Sequence, residues 1–473
     1  MVDQETKTPT DADAGAGDPS GHPTDLSDHL EERLRDALQE GAADTVRALV
    51  EPLNAADVAD LLEHLATDDR RAFLDVLGED LDADVLPELD EEVLADVVDH
   101  LEVEQIAAAV VEMDSDDAIT VLEDLDEADK REILEAIPDA DRIAIEQGLA
   151  YPENTAGRLM QREVVTVPTY YTVGETIDFL RQNAERDVSY LPDQFYDIYV
   201  VDPQFRPLGA VSLSRLLRSK RPVRVTDIMD TNLKRILVST DREEVAFIFR
   251  QRDLVSASVI DQGGRLVGVI HIDDVVDVIE EEHEEDIMRM GGLAEADLYS
   301  GFLKTTKARF SWLLINLGTA IAASLVIGLF EGTIQQMVAL AVLMPIVASM
   351  GGNAGTQTLT VAVRALATKE LTSTNAMRVI GKEILVGTAN GALFAVIAGV
   401  VAWLWFQSAG IGVVIALAMV VNLVVAGLAG SAIPVVLDKL KIDPAVASGV
   451  FLTTVTDVVG FFAFLGLAAW MLI

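Results

Sequence analysis

The sequence predicts a multidomain membrane protein, with a large acidic, water-soluble part before residue 304 and a bundle of five transmembrane helices after it. Half of the 473 residues are apolar although a quarter are charged, and a single globular domain rarely combines both. The two classes are also separated along the chain, because residues 304–473 contain only nine Lys/Arg and six Asp/Glu. Charged and apolar residues therefore belong to different parts of the molecule.

The charge of the chain restricts its partners. It carries 35 basic and 78 acidic side chains, a net charge of −43. Such a surface repels phosphates, which excludes nucleic acid as a partner. The acidity suits either cation binding or solubility in a high-salt cytoplasm, and composition leaves both open. Cysteine is absent, which excludes disulfides and thiolate metal sites. An enzyme is not expected, because the sequence contains neither a phosphate-binding loop nor a nucleophile constellation and its six histidines are scattered.

Two segments precede residue 151. Residues 1–28 are rich in Asp, Thr, Gly and Pro and are predicted to be a disordered tail, and no signal peptide is expected. Residues 29–150 carry apolar residues at three- and four-residue spacing, as at 58–62, separated by acidic corners such as 67–69. This pattern predicts an all-α acidic domain of short antiparallel helices in a superhelical array, with corner acids as helix N-caps.

The next segment contains an internal repeat. Residues 199–212 match residues 258–271 at an offset of 59 residues. Each copy has the pattern of a helix, a strand, a tight turn with Gly or Asp, a second strand and a helix. The repeat resembles a tandem pair of α/β CBS domains, with a first unit over 151–222 and a second over 223–274.

An acidic connecting segment, 275–303, joins the repeat to the membrane part. Asp274, Asp277, Glu281 and Glu285 fall on one face of a helix, where like charges repel one another. The segment is either a solvated linker helix or a helix whose repulsion is relieved by a divalent cation, since carboxylate oxygens suit Mg²⁺ and Ca²⁺.

Five apolar stretches are long enough to cross a bilayer, namely 310–330, 334–358, 384–406, 411–437 and 446–472. Basic residues precede the first stretch, separate the second from the third, and separate the fourth from the fifth. They are Lys304, Lys307, Arg309, Arg364, Lys369, Arg378, Lys382, Lys439 and Lys441. The other two loops contain no Lys or Arg. The positive-inside rule therefore predicts a multi-pass protein of the cell membrane with its N-terminal domains in the cytoplasm and its C-terminus outside.

Glycines make parts of these stretches unlike lipid-facing helix. Pro345 is followed by the segment Gly-Gly-Asn-Ala-Gly-Thr-Gln at 351–357, which is expected to loosen the helix and to let another backbone approach. Other small residues are expected to permit close contacts between helices, and these are Gly387, Gly391, Gly427 and Gly430.

Asp457 is the acidic residue that lies well inside a predicted span. Such residues usually mark ion or proton pathways. One carboxylate supplies few ligands for a divalent ion, but two chains meeting on an axis would bring two copies of Asp457 together. Mg²⁺ holds its water tightly, so Thr, Asn and carbonyl groups could contact its hydration shell. A homodimeric pore is the simplest architecture that uses these residues.

The order of these parts resembles the MgtE family of magnesium channels over nearly the whole chain after residue 28. The most specific motifs are Pro345 with 351–357, Arg-Ala-Leu-Ala-Thr-Lys at 364–369, and Thr-Asp-Val-Val-Gly at 456–460. The resemblance implies a Mg²⁺-selective channel for magnesium uptake, with the pore ion at Asp457. The implied pore-lining candidates are Gly351, Gly352, Asn353, Thr356, Gln357, Thr453 and Thr454.

The resemblance further implies that the connecting helix is a plug and that bound Mg²⁺ holds the cytoplasmic domains together and the gate shut. The acids at matching positions are Asp241, Glu243, Asp253, Asp274, Asp277, Glu282, Glu285, Asp286 and Asp443, with Asp116 or Asp117 in the helical domain. An ion that binds the closed state better shifts the population toward closure, which is negative feedback on cytosolic Mg²⁺. CBS pairs often bind adenine nucleotides or ions, so ATP is a possible cofactor. Ser214 and Arg215 stand where an Asp commonly contacts the ribose of a nucleotide, which counts against ATP.

Two other functions remain open. A transporter coupled to a proton or sodium gradient could carry Mg²⁺ or Co²⁺, with Asp457 as its coupling carboxylate. A membrane-anchored nucleotide sensor ranks lowest, because an anchor needs neither Asp457 nor the glycine-rich segment. The expected partners are a second copy of the chain, the lipid bilayer and divalent cations.

Overall fold

The computed structural model describes residues 23–184, 191–192, 194–293 and 301–473, with the backbone alone for 23–28, 79 and 446–448. The described chain divides into two compact units. The first contains the residues up to Thr240 and Ser256–Ile270, and the second contains Asp241–Val255 and His271–Ile473. Most of the predicted tail lies outside the described residues, but its last six residues are helical from Pro23 onward. Proline suits a first helical position because its φ is already set.

Short helices build the N-terminal part of the first unit. They are α1 (Pro23–Gln39), α2 (Ala43–Val50), α3 (Ala55–His64), α4 (Thr67–Leu77), α5 (Glu91–His100), α6 (Val103–Glu112), α7 (Ser115–Glu123), α8 (Glu127–Ala136) and α9 (Asp139–Leu149). Their apolar stripes are buried at the predicted spacing, as with Val58, Leu61 and Leu62 of α3. The all-α prediction is confirmed.

Side-chain caps begin several of these helices, but not at every predicted corner. Asn54 and Asp57 form a reciprocal capping box at α3, and Asp126 accepts two backbone N–H groups at α8. The predicted cap at 67–69 is wrong, because α4 is preceded by Ala66 and its acids lie inside the first turn. A negative charge there is still favoured by the helix dipole.

Two three-stranded sheets follow, one in each repeat. Each contains the two predicted strands and a further short strand ahead of the helix, which was not predicted. The first sheet has the order β1 (Thr166–Pro168), β2 (Asp197–Val201), β3 (Pro207–Ser212), and the second has β4 (Arg235–Leu237), β5 (Ser256–Ile260), β6 (Leu266–His271). In both sheets the first strand runs parallel to the second. The accompanying helices are α10 (Ala156–Leu159), α11 (Val173–Ala184), α12 (Leu213–Arg218), α13 (Val225–Ile228) and α14 (Arg242–Arg252).

Long helices dominate the second unit. They are α15 (Ile272–Met290), α16 (Phe302–Gly328), α18 (Ala339–Ala367), α19 (Ala376–Phe406), α20 (Ala409–Lys439) and α21 (Pro444–Met471), with the short α17 (Glu331–Gln336) between α16 and α18. Among the described residues, five helices are long and apolar enough to cross a membrane, namely α16 and α18 to α21. The five predicted spans are confirmed. The second begins later than predicted, because the backbone leaves the helical region at Met337.

The glycine-rich segment after Pro345 does not loosen its helix. α18 continues without a break through Gly351 and Gly355, so this expectation is wrong. The expected close approach is confirmed, since a Cβ at Gly355 would lie 2.7 Å from Leu452, and one at Gly430 would lie 2.6 Å from the Gly355 carbonyl oxygen. A helix satisfies its own backbone groups at membrane depth, so these glycines serve packing rather than unwinding.

The contact between α19 and α20 supplies a stability prediction. A Cβ at Gly387 would lie 2.5 Å from the Leu423 carbonyl oxygen, and backbone cannot move aside cheaply. Gly387→Ala is therefore expected to destabilise the protein by about 1–3 kcal/mol through overpacking. Gly381→Ala on the same helix meets nothing within 4 Å and should be neutral or slightly stabilising. Thermal unfolding in detergent compares the two variants, and equal midpoints would contradict the tight contact.

Candidate ion pathway and acidic cluster

Three contacts relate the direction of α18 to that of α21. Gly355 of α18 faces Leu452 of α21, whereas Gly351 of α18 and Gly460 of α21 both face Asn422 of α20. A step toward the C-terminus of α18, from residue 351 to 355, therefore corresponds to a step toward the N-terminus of α21, from residue 460 to 452. The two helices are antiparallel.

This arrangement brings Asn353 and Asp457 to about the same level along their helices. Asn353 is exposed on the described chain and Asp457 is partly exposed. The Asn353 amide donates to the Ser349 hydroxyl at 3.3 Å. Thr453 and Thr454 donate to carbonyl oxygens one turn earlier in α21, so their hydroxyls remain available as acceptors.

One face of α18 is polar and exposed although the helix is a membrane span. Its exposed polar residues are Ser349, Asn353, Thr356, Gln357 and Thr360. Among the predicted pore-lining residues, Gly352 is partly exposed and Gly351 is buried against Asn422. The polar face, Thr453 and Asp457 together form the candidate ion pathway.

A second cluster of predicted site residues lies around α15, which packs against α14 and α21. Arg289 of α15 forms ion pairs with Glu285 on its own helix and with Asp443. Asp443 is also the N-cap of α21, where it accepts from the Ala445 N–H at 2.7 Å. The positively charged Arg289 side chain therefore joins the last turn of α15 to the first turn of the fifth span.

The start of α14 joins the same cluster. Arg242 donates to Glu281 at 2.7 Å and to Glu282 at 2.8 Å. Two positively charged side chains, Arg242 and Arg289, thus hold acids that come from distant parts of the sequence. We call the group Glu243, Glu282, Glu285, Asp286 and Asp443 the acidic cluster.

Burial, together with crowding of these carboxylates, raises two pKa values. Burial, followed by the negative charge of Glu282, raises the pKa of Glu243 to about 7. Burial and the charges of Asp443 and Glu282 raise the pKa of Asp286 to about 6. Glu243 keeps an exposed surface, so solvent screens part of this effect.

The remaining predicted acids are not counted in the acidic cluster, although the charge of Asp241 also raises the pKa of Glu243. Asp241 caps α14 by accepting from the Glu243 N–H, and Asp274 accepts from the His271 N–H at the start of α15. Asp253 ends α14 in the left-handed region, roughly 16 Å from its start. Burial and the charge of Asp273 raise the pKa of Asp277.

Asp116 and Asp117 belong to the first unit, in the first turn of α7. The Asp117 N–H donates to the Asp116 carboxylate at 3.2 Å. A negative charge is favoured in this turn by the helix dipole.

The carboxylate oxygens of the acidic cluster are ligands that Mg²⁺ prefers, although the described residues form no closed coordination shell. Within the described ranges, no three His, Asp or Glu side chains are grouped so that they could hold a metal ion. Mg²⁺ usually keeps several waters and is bound through one or two carboxylates, which a pair such as Asp286 and Asp443 can supply.

The raised pKa values predict a pH dependence without Mg²⁺. Glu243 binds its proton in the folded protein up to pH of about 7, against 4.5 for a free side chain. The stabilisation of the folded protein by this proton is complete below pH 4.5 and is lost as the pH rises through 7. In the presence of a chelator, the thermal unfolding midpoint should therefore be lower at pH 8 than at pH 5.5. Glu243→Gln should reduce this fall, whereas Glu284→Gln on the exposed side of α15 should keep it. An identical fall in all three proteins would contradict the assignment.

Sequence reasoning missed three polar residues of the second unit. Asn422 is an amide in the most apolar span, a signal that could have been found. Glu383 accepts from Thr358 on α18 at 3.3 Å, and it was overlooked because the predicted third span began one residue later. Arg289 has a local signal for its pair with Glu285, four residues earlier, but none for its second partner Asp443, which is 154 residues away.

Comparison with known proteins gives consistent matches. A family model described as "Divalent cation transporter" matches residues 344–467, one described as "MgtE intracellular N domain" matches 53–154, and one described as "CBS domain" matches 225–281. A solved cytosolic domain of the Mg²⁺ channel MgtE, in complex with ATP, is 31% identical, with a TM-score of 0.49, and the match covers 52% of this chain and 99% of that one.

Magnesium transporters named MgtE are similar over most of their length. The protein from Enterococcus faecalis is 33% identical over 69% of this chain and 71% of its own. The protein from Thermus thermophilus is 36% identical over 69% of this chain and 72% of its own. Because relatives at least 30% identical are matched over more than two thirds of their own length, the chain belongs to the MgtE family of magnesium transporters.

Proposed function

We propose that this protein is a homodimeric, Mg²⁺-selective channel for magnesium uptake that closes when cytosolic Mg²⁺ rises. The observation that carries the proposal is the exposed polar face of α18 at the level of Asp457. The contacts that connect the acidic cluster to the start of the fifth span support the gate.

The polar face of α18 requires a partner. A single copy would leave Asn353, Thr356 and Gln357 exposed at membrane depth, where polar groups are costly to expose to lipid. A second copy related by a twofold axis would cover the same face of both chains. Water and ions could then occupy the space between them, with one Asp457 on each side.

The proposed pore suits a hydrated magnesium ion. Mg²⁺ gives up its water reluctantly, and two carboxylates with amide and hydroxyl groups nearby can bind it through that water. In this proposal Asp457 supplies the negative charge. Asn353, Thr453 and the other polar residues of the ion pathway offer hydrogen bonds to the hydration shell.

The proposed gate uses the acidic cluster. Asp286 and Asp443 carry like charges from α15 and from the start of α21, and Arg289 offsets only part of their repulsion. A divalent cation between such carboxylates would hold α15 against α21, whereas its loss would release the helix. Mg²⁺ would therefore shift the population toward the closed state, and the size of the shift would depend on how much more tightly it binds the closed state than the open one.

We also propose the orientation that the basic residues indicate. Arg364, Arg378 and Lys439 lie at ends of α18, α19 and α20, on the side where α15 and Asp443 are found. An excess of Lys and Arg marks the cytoplasmic side. The N-terminal domains would then be cytoplasmic and Ile473 would be outside.

The proposed gate does not require ATP. A solved relative binds this nucleotide, but the first turn of α12 in this chain contains Ser214 and Arg215 and no acidic residue. A carboxylate that could bind a ribose is therefore absent from that turn. Mg²⁺ alone is expected to close the channel.

Magnesium uptake into liposomes tests the proposal. Purified protein would be reconstituted without proton or sodium gradients, with internal Mg²⁺ at zero or at millimolar concentration. A channel of the proposed kind takes up Mg²⁺ in the first case and much less in the second. Uptake that requires an imposed gradient would favour the alternative, a coupled divalent-cation transporter, and would overturn the channel.

A further inference from the structure

A fully buried amide lies in the middle of the membrane part. Asn422 of α20 has no exposed surface, although its helix is the most apolar of the five spans. Its Nδ2 donates to the Val347 carbonyl oxygen of α18 at 2.8 Å. Its Oδ1 has no hydrogen-bond partner among the described residues. A buried acceptor without a partner is unfavourable, so packing alone is a poor reason for an amide here.

The amide fits only because two neighbouring residues are glycines. A Cβ at Gly351 of α18 would lie 2.2 Å from Asn422 Nδ2, and a Cβ at Gly460 of α21 would lie 2.8 Å from the same atom. Real Cβ contacts are not this short. Asn422 is therefore a wedge of defined size between the two helices of the ion pathway.

This wedge lies directly behind the candidate ion pathway. Gly460 follows Asp457 by three residues, about 4.5 Å along the helix, and Gly351 precedes Asn353 by two residues, about 3 Å. Asn353 is exposed and Asp457 is partly exposed, whereas Asn422 is enclosed. A change in the size of the side chain at 422 would therefore move the backbone that carries both pathway residues.

We propose that Asn422 is a positioning residue of the pore, and that its amide sets the separation of α18 and α21 and thereby the preference for Mg²⁺ over larger divalent cations. The proposal rests on the pore assigned above to these two helices. Mg²⁺ and Ca²⁺ differ in size and in the rigidity of their coordination, so a small change in pore width should affect them unequally.

The test compares the ratio of Mg²⁺ to Ca²⁺ uptake into liposomes at zero internal Mg²⁺. A ratio does not depend on how much of the protein is active, so a merely structural role would not change it. Gly460→Ala adds one methyl group and should change the ratio by about tenfold, near the lower end of what a misfit of that size costs in a packed site. Asn422→Ala removes the whole amide group and should change the ratio by at least as much. Asn422→Ser replaces Asn422→Ala if the alanine variant does not fold.

The double variant Asn422→Ala/Gly460→Ala should move the ratio back toward that of the wild type, because the added methyl group fits the vacated space. Ser431→Ala is the matched control. Ser431 is an equally buried polar residue of α20, but its hydroxyl donates to Gly427 of its own helix, so the ratio should not change.

Two outcomes would overturn the inference. One is a wild-type ratio in both Asn422→Ala and Gly460→Ala, and the other is a double variant no closer to the wild type than Gly460→Ala. Failure of the proposed pore is recognised separately, since Asp457→Asn would then conduct like the wild type. The thermal midpoints of the same variants measure the contact between Asn422 and Gly460 without any transport.

Discussion

Asp457→Asn is expected to reduce Mg²⁺ uptake into liposomes by at least about tenfold, because the loss of one charge-assisted hydrogen bond costs about 1.5–3 kcal/mol and 1.4 kcal/mol is a factor of ten. Asparagine keeps the shape of the side chain, so packing of α21 should be preserved. In the proposed dimer the substitution removes both charges at the level of Asn353. Uptake at zero internal Mg²⁺ measures the effect directly.

Two variants accompany this measurement. Asp457→Glu keeps the charge and should retain part of the uptake. Asp438→Asn makes the same chemical change at an exposed residue near the end of α20 and should transport at the wild-type rate. Equal reductions in Asp438→Asn and Asp457→Asn would indicate a general loss of function. Normal uptake by Asp457→Asn would remove Asp457 from the ion pathway.

The double variant Glu282→Gln/Asp286→Asn is expected to leave the channel open at internal Mg²⁺ concentrations that close the wild type. Both acids lie in the acidic cluster, on the side of α15 where Asp443 and Arg242 are found. Coupling between a ligand and a conformational change is typically 1–3 kcal/mol, so the half-closing concentration should rise by about 5- to 150-fold. The measurement is Mg²⁺ uptake against internal Mg²⁺.

A control on the same helix separates the acidic cluster from the overall acidity. Glu280→Gln/Glu284→Gln removes two charges at the same spacing from exposed positions of α15. This variant should close at the wild-type concentration. If both double variants shift closure equally, the acids act through general charge rather than through a defined site. If neither shifts it, the proposed gate is wrong.

Hydropathy and charge were sufficient to predict the membrane architecture. The five spans and the helical N-terminal part follow from patterns within a few turns of chain, and the repeated α/β unit follows from a match between segments 59 residues apart. Each of these signals is read from the order of residues alone, so the fold is not needed to detect it. The start of the second span was missed because the break at Met337 reflects backbone geometry, and hydropathy continues across it.

The role of the glycine-rich segment could not be predicted from composition. Glycine permits both a loosened helix and a close contact, and the sequence does not distinguish the two. The choice depends on what lies opposite, and here Asn422 and Leu452 occupy the space beside Gly351 and Gly355. A continuous helix keeps its hydrogen bonds and gains these contacts.

The sequence by itself determined the family, the number of spans, the acid in the fifth span and the acidic character of the connecting helix. Only the tertiary structure decided which residues meet: Arg289 with Asp443, Arg242 with Glu282, and Asn422 with two glycines on different helices. The physical reason is that hydropathy and charge are properties of single residues, whereas ion pairs and packed contacts belong to pairs of residues. Such pairs are brought within a few ångströms only when distant segments fold together.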